Sequence, residues 1–295
     1  MKKYIIRTIL YFLPLLFVFV GITLYREIET KKLLEELSFD KLVHKALLGD
    51  SHMGNGINDE LLNGTINLAK GGEAYSYSLN KVKFIHHKVV ELDTIYLSIG
   101  YHNFSDNMDF YIFDHDYVDR YFYSLPWSLQ KSLLAEIESP TDFFLRNVIR
   151  NFKGLMREGV TLTDMLGGYE NRSFRNGVKE DILTKRIESQ YYQDGELRGF
   201  SEANINYFED FVDYCKSEGI KLFALKLPVD REYEKRVPEK FKLRLNEVID
   251  RSKVDLIDFK ELNLTDDYFI ADGDHLSHMG SQLVSKYLAE YPFGQ

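Results

Sequence analysis

The feature that most restricts this chain is an alternation, from about residue 45 to the carboxyl terminus, of short apolar runs with helical patterns. Ala46–Gly49, Gly64–Leu68, Thr94–Ile99, Ile220–Leu225 and Val254–Ile257 read as strands. Glu73–Val90, with Leu79, Val82, Ile85 and Val89 at helical spacing, reads as a helix, as do Glu202–Glu218, Phe241–Ile249 and Ser277–Ala289. Strand, helix, strand at these lengths predicts an α/β protein with a parallel five-stranded sheet covered on both faces. Such sheets take their ligands at the carboxyl edge of the strands. What stands at those edges therefore matters most.

The amino terminus follows a different rule. Thr8–Tyr25 contains no charge and is mostly Leu, Ile, Phe and Val. Eighteen helical residues rise roughly 27 Å, close to the hydrocarbon thickness of a bilayer, and Pro14 is tolerable in such a helix. Lys2, Lys3 and Arg7 precede the run, while charges of mixed sign follow it. No small-residue cleavage site follows either, so an uncleaved anchor is expected, with the amino terminus cytoplasmic and the rest exported. The expected organisation is a transmembrane signal anchor over 1–25, a charged stalk over 26–44, and an α/β domain over 45–295. A net charge of −9 and the lack of a Lys/Arg block argue against nucleic acid as partner. The single cysteine, Cys215, excludes an internal disulfide and reads as an inert buried thiol.

Residues 104–200 interrupt the alternation as a largely helical insertion. Ten aromatic residues stand between Tyr101 and Trp127, where the chain's average of 14% predicts about four. They read as a subdomain core, with rim aromatics available to a sugar ring. Ser128–Met156 reads as helical and broken near Pro140, and Arg157–Gly199 as loop, a candidate lid.

Four polar stretches end the predicted strands: Gly49-Asp50-Ser51-His52, Asn67-Leu68-Ala69-Lys70-Gly71-Gly72, Ser98-Ile99-Gly100-Tyr101-His102-Asn103, and Asp272-Gly273-Asp274-His275 with His278 beyond it. A serine hydroxyl needs a neighbouring imidazole to take its proton, and an imidazole needs a carboxylate to hold its other nitrogen as a donor. Ser51, His275 and Asp272 are the candidates, with Asp274 expected to hold the local turn. The metal alternative, with Asp272, Asp274, His275 and His278 as ligands, leaves the Gly-Asp-Ser strand end unexplained. No metal or other cofactor is expected. His86-His87 reads as helix surface and Asp114-His115-Asp116 as a solvated turn.

In order and spacing these stretches resemble the blocks of the SGNH hydrolases, or GDSL-type esterases, over about residues 45–103 and 203–290. The resemblance implies a three-layer flavodoxin-like fold and an acyl-enzyme mechanism, with Ser51 as nucleophile and Asp272/His275 as the terminal Asp-x-x-His pair. It also implies an oxyanion hole from Gly72 and Asn103. Two departures stand out. Gly100 and Asn103 are one residue further apart than the family's Gly-x-Asn, so His102 takes the usual asparagine position and either side chain can face the hole. His52 replaces the leucine that often follows the serine, which points to packing or substrate contact. The resemblance extends to anchored SGNH-like proteins that add or remove O-acyl groups on envelope or extracellular polysaccharide. An acylated carbohydrate substrate is therefore expected, together with a membrane acyl donor if the reaction is a transfer. The other expectation is a catalytically silent module that binds glycan or an export partner.

Overall fold

The computed structural model describes residues 2–113, 131, 146, 149, 166–171 and 177–291. Contacts divide the chain into two compact units, residues 1–37 with 113–165, and residues 38–112 with 166–295. In the first unit, helix α1 spans Lys2–Glu36 and contains Pro14, so the charge-free run Thr8–Tyr25 is helical. Many side chains of Thr8–Tyr25 lie outside the described ones, and among the described residues no helix is long and apolar enough to cross a membrane. Ser128–Met156, the Asp114-His115-Asp116 stretch and the aromatic residues from Tyr117 to Trp127 lie outside the described residues, apart from isolated positions.

The second unit is α/β. Its parallel sheet is built from β1 (Lys45–Leu48), β2 (Thr65–Asn67), β3 (Thr94–Ser98), β6 (Lys221–Lys226) and β7 (Asp255–Asp258), and its order is β2-β1-β3-β6-β7. Each neighbouring pair is parallel, with Leu47 opposite Asn67 and Tyr96, and Leu97 opposite Ala224. Two crossovers run outward in opposite directions from β1 and β3, so the order reverses between these strands. Sheets with such a reversal take their ligands at the carboxyl ends of the strands on either side of it. Side chains alternate between the faces, and both faces are covered, which is why the strand interiors are apolar and the polar residues stand at the strand ends. On one face Leu47, Tyr96, Phe223, Leu225 and Ile257 share a core with Met53 and Ile57, and with Val284 and Leu288 of the last helix.

The connecting helices follow from pattern and caps. After β1 comes α2 (Ser51–Gly56), capped by the Asp50 side chain, which accepts the His52 N–H. Helix α3 (Tyr75–His86) buries Leu79, Val82 and Ile85, as the helical spacing predicts. It packs on α6 (Glu202–Ser217), which buries Phe208, Phe211 and Cys215 and is capped by Ser201. Cys215 is buried as expected, and burial pushes its thiol up to about 12. His86 is half-buried and His87 exposed, also as expected. Helix α8 (Glu239–Ser252) packs on α6, and α9 (His278–Glu290), capped by Ser277, packs on α2.

The stretch expected to be loop over Arg157–Gly199 contains helix α5 (Glu180–Tyr191) and a short hairpin, β4 (Tyr192–Gln193) with β5 (Glu196–Leu197). Its charged surface masks the pattern. Only Leu183, Ile187, Gln190 and Tyr191 face inward, and two of these four are polar or amphipathic. Helices α4 (Asn107–Phe113) and α7 (Arg231–Arg236), the latter capped by Asp230, complete the described helices.

Candidate active site

The site starts from a glycine. Gly49 follows β1 with φ +121°, and a Cβ there would lie 2.1 Å from Ser98 Oγ on the neighbouring strand. Only glycine lets the chain turn so close to β3. The turn delivers Asp50 as helix cap and Ser51 as the first residue of α2. Ser51 is half-buried at the carboxyl edge of the sheet, where the strand order reverses.

The structure brings together the three residues remote in sequence. Ser51 Oγ lies 2.7 Å from His275 Nε2. His275 Nδ1–H donates to Asp272 Oδ2 at 2.9 Å, which leaves Nε2 as the acceptor for the serine hydroxyl. The other oxygen, Asp272 Oδ1, accepts the backbone N–H groups of Asp274 and His275 at 3.0 and 3.1 Å. Turn-holding, expected of Asp274, thus falls to Asp272. The reason is local: a carboxylate two and three residues before those N–H groups is in the usual position to accept them. Burial lowers the His275 pKa, against the pull of Asp272 and Asp274. Burial raises Asp272, but its hydrogen bond and charge pairing with His275 outweigh that, and the net direction is down.

Asp274 instead reaches across to α5. Its Oδ2 accepts from Arg186 Nε at 2.7 Å and from Gln190 Nε2 at 2.9 Å, with Arg186 Nη2 also 2.7 Å away. Its Oδ1 lies 3.1 Å from His52 Nε2. That approach suits charge attraction but is out of line for a hydrogen bond, and both atoms are buried without a hydrogen-bond partner. Despite burial, His52 and Arg186 hold Asp274 well below the usual carboxylate range. Burial alone would strip His52 of its proton, but Asp274 outweighs it and the His52 pKa is raised.

Neither residue after β3 ends in a free position. His102 Nε2–H donates to Asp50 Oδ2 at 2.7 Å, and the Asn103 amide donates to the same oxygen at 2.9 Å. Asn103 Oδ1 accepts the Gly100 N–H at 2.7 Å. Asp50 also exchanges contacts with Ser98, whose hydroxyl donates to Asp50 Oδ1 at 3.2 Å. Burial raises Asp50, but His102 above all, with His52 and Asn103, outweighs it and holds Asp50 far below the usual range. The imidazole of His102 carries one N–H to Asp50, so its 3.2 Å approach to Asn103 Nδ2 is not a second acceptor for that amide. One Asn103 N–H is thereby left without a partner among these groups.

The glycine turn after β2 lies beside the serine. A Cβ on Gly71 would sit 3.8 Å from Ser51 Cβ. Gly72 has φ +71°, a left-handed conformation that favours glycine. Behind the turn, Lys81 Nζ donates to Glu73 Oε2 at 2.5 Å and to the Leu68 carbonyl at 2.6 Å, all buried. This buried pair braces the turn from α3, and no sequence motif announces it. Gly168 N–H donates to the Ala69 carbonyl at 2.9 Å, which ties residues 166–171 to the same edge.

Among the described residues, one group of histidine and carboxylate donors is close enough to share a metal ion: His52, His102 and Asp274. The two rings stack with centroids 4.6 Å apart and planes tilted by 26°. His102 Nε2 is occupied by Asp50 and His52 Nε2 faces Asp274, so these donors are already engaged with one another and with the protein. The ligand set considered from sequence does not converge, since Asp274 turns to Arg186 and His278 Nδ1 lies 3.3 Å from the Tyr169 hydroxyl.

No family profile matches the chain, and no curated protein matches its sequence. Solved structures similar to it include a protein provisionally named a platelet activating factor from Streptococcus pneumonia, with 13% identity, TM-score 0.42, and coverage of 96% of this chain and 98% of that one. Another is the psychrotrophic esterase EstA from Pseudoalteromonas, with 10% identity, TM-score 0.40, and coverage of 83% and 94%. A third is a GDSL-like lipase from Bacteroides thetaiotaomicron, with 10% identity, TM-score 0.38, and coverage of 92% and 95%.

Proposed function

We propose that the protein is a serine O-acyl esterase or O-acyltransferase, and the observation that supports this reading is the hydrogen-bonded chain Ser51–His275–Asp272 at 2.7 and 2.9 Å. Ser51 Oγ attacks an ester carbonyl as its proton passes to His275 Nε2. Asp272 holds the resulting imidazolium through Nδ1. The proton then goes to the leaving sugar oxygen, and the acyl group stays on Ser51. Water or a second hydroxyl attacks that ester, gives its proton to Nε2, and frees the serine. A neutral His275 is the form this sequence needs, and the direction of its pKa shift favours it. The Ser51 and Gly72 backbone N–H groups and the second amide hydrogen of Asn103 are the proposed donors to the oxyanion, with His102 as the alternative to Asn103. Each such donor is worth about 10²–10³ in rate.

The finer reading rests on the sequence. The charge-free run Thr8–Tyr25 favours a single-pass anchor that leaves the α/β unit on the extracytoplasmic side. A tethered acyl-transfer site facing the cell envelope suits an O-acylated envelope or extracellular polysaccharide as substrate. Transfer rather than hydrolysis would call for an acyl-donating membrane partner. A silent binding module is the second reading, favoured by one observation: His102 and Asn103 both spend donors on Asp50. A serine-directed phosphonate separates the two. Covalent labelling at Ser51, abolished in Ser51→Ala, is expected together with acetate release from an acetylated glycan. A folded wild-type chain that neither labels nor releases acetate would leave the binding module.

A further inference from the structure

The residue after the serine has no place in a Ser-His-Asp mechanism, yet it sits at the centre of the buried charges. His52 is 7% exposed and belongs to α2, one position beyond Ser51. Its ring packs against His275 with centroids 4.9 Å apart and planes 47° apart, while another face stacks on His102 at 4.6 Å. Its Nε2 stands 3.1 Å from Asp274 Oδ1. Every element packed around it brings a charged or titratable group. Asp274 and His275 come from the loop before α9, His102 from the turn after β3, Asp50 from the cap of α2, and Arg186 from α5 through Asp274.

We propose that His52 is a positioning residue for the reaction: a buried imidazolium, fixed between Asp274 and the face of His102, that props the His275 ring and repels a proton from it. The proposal rests on the serine-hydrolase reading above and adds a second Asp–His pair to it. Asp274 is immobilised by the Arg186 guanidinium and by Gln190, so its free oxygen is presented to His52 alone among the groups at hand. That oxygen and His52 Nε2 are buried polar atoms with no hydrogen-bond partner, so their approach is worthwhile only as a charge pair. Against burial, Asp274 raises the His52 pKa, while burial first and Arg186 second lower that of His275, so a charged His52 beside a neutral His275 is in keeping with both directions. A unit charge about 5 Å away shifts a neighbour's titration by about one pH unit even under strong screening.

The test uses the full chain with His52→Gln, which removes the charge, and His52→Phe, which removes it but keeps a flat ring against His275 and His102. Two readouts are followed across pH: the rate of phosphonate labelling at Ser51, and the ring-proton NMR signal of His275 in histidine-labelled protein. Loss of the neighbouring positive charge makes His275 easier to protonate. The acid limb of labelling and the His275 midpoint are both expected to move up by about one pH unit. Acyl-release kcat should fall about tenfold, with KM changed by less than about twofold. A variant that melts like the wild type and keeps both midpoints within about 0.2 pH units of it would overturn the proposal, whatever its kcat. If wild-type Ser51 never labels, the serine-hydrolase reading fails, and the His275 midpoint still decides for or against His52.

Discussion

At the scale of single residues, the site is specified by what is left out as much as by what reacts. Gly49 is the plainest case, since its φ of +121° and the 2.1 Å approach of a Cβ to Ser98 Oγ oppose any side chain. Gly49→Ala is expected to destabilise the fold by about 2–4 kcal/mol, read as a lower urea midpoint at unchanged slope. Asp272 does two jobs, holding His275 Nδ1 and two backbone N–H groups. Asp272→Asn keeps the shape but favours the wrong imidazole tautomer. Acyl release should drop about 10⁴-fold, far more than the modest loss of stability from the removed carboxylate accounts for. Equal rates for variant and wild type on an aryl acetate would remove Asp272 from the mechanism. Asp50, the middle letter of Gly-Asp-Ser, is more than a helix cap, because it also collects His102, Asn103 and Ser98.

At the scale of elements, the helices contribute fixed anchors to a site made of strand ends. Helix α5 sends Arg186 and Gln190 to Asp274. Helix α6 sends Asn204, whose side-chain N–H donates to the Asn103 carbonyl at 2.9 Å and whose oxygen accepts the Tyr75 N–H at 2.9 Å. Helix α3 sends Lys81 to Glu73 and Leu68 behind the glycine turn. Burial lowers the Lys81 pKa, and Glu73 opposes the shift. Glu73→Gln therefore takes the carboxylate from a buried ammonium, at a cost of about 3–5 kcal/mol near neutral pH. With that carboxylate gone, the folded value of Lys81 falls further below the unfolded value of about 10.4, so the variant should regain stability as pH rises. Denaturant melts at pH 7 and 9.5 check the sign. A loss that does not shrink at the higher pH would contradict it.

At the scale of the whole molecule, the buried carboxylates and imidazoles set the response to pH. Burial raises Asp50, Asp272 and Asp274, but their partners outweigh it and all three are lowered. Their stabilisation is complete above the unfolded value of about 3.9 and is lost as pH falls through the depressed folded values. His52 is raised, so its contribution is complete below about 6.5 and is lost as pH rises through its folded value. His275 is lowered, so between its folded value and about 6.5 the unfolded chain binds the extra proton, and stability rises with pH across that window. The melting temperature is expected to peak near neutrality and to fall steeply below about pH 4. A melting profile flat down to pH 3 would contradict the three depressed carboxylates.

The sequence by itself determined the α/β alternation, the five parallel strands and the turn chemistry at their ends. These depend on apolar periodicity and on residues such as Gly49, Asp50 and Gly72, whose backbone preferences are local. Ser51, Asp272 and His275 were also legible, because the chemistry of an activated serine asks for those three types at strand ends. Helix α5 was not legible, since a charged surface with four inward residues reads as loop. Only the tertiary structure decided that Asp274 faces Arg186 and His52, that His102 and Asn103 both turn to Asp50, and that Lys81 lies behind the glycine turn. Which side chain meets which depends on the order of strands in the sheet and on helix packing between segments up to about two hundred residues apart. No local spacing in a chain encodes that.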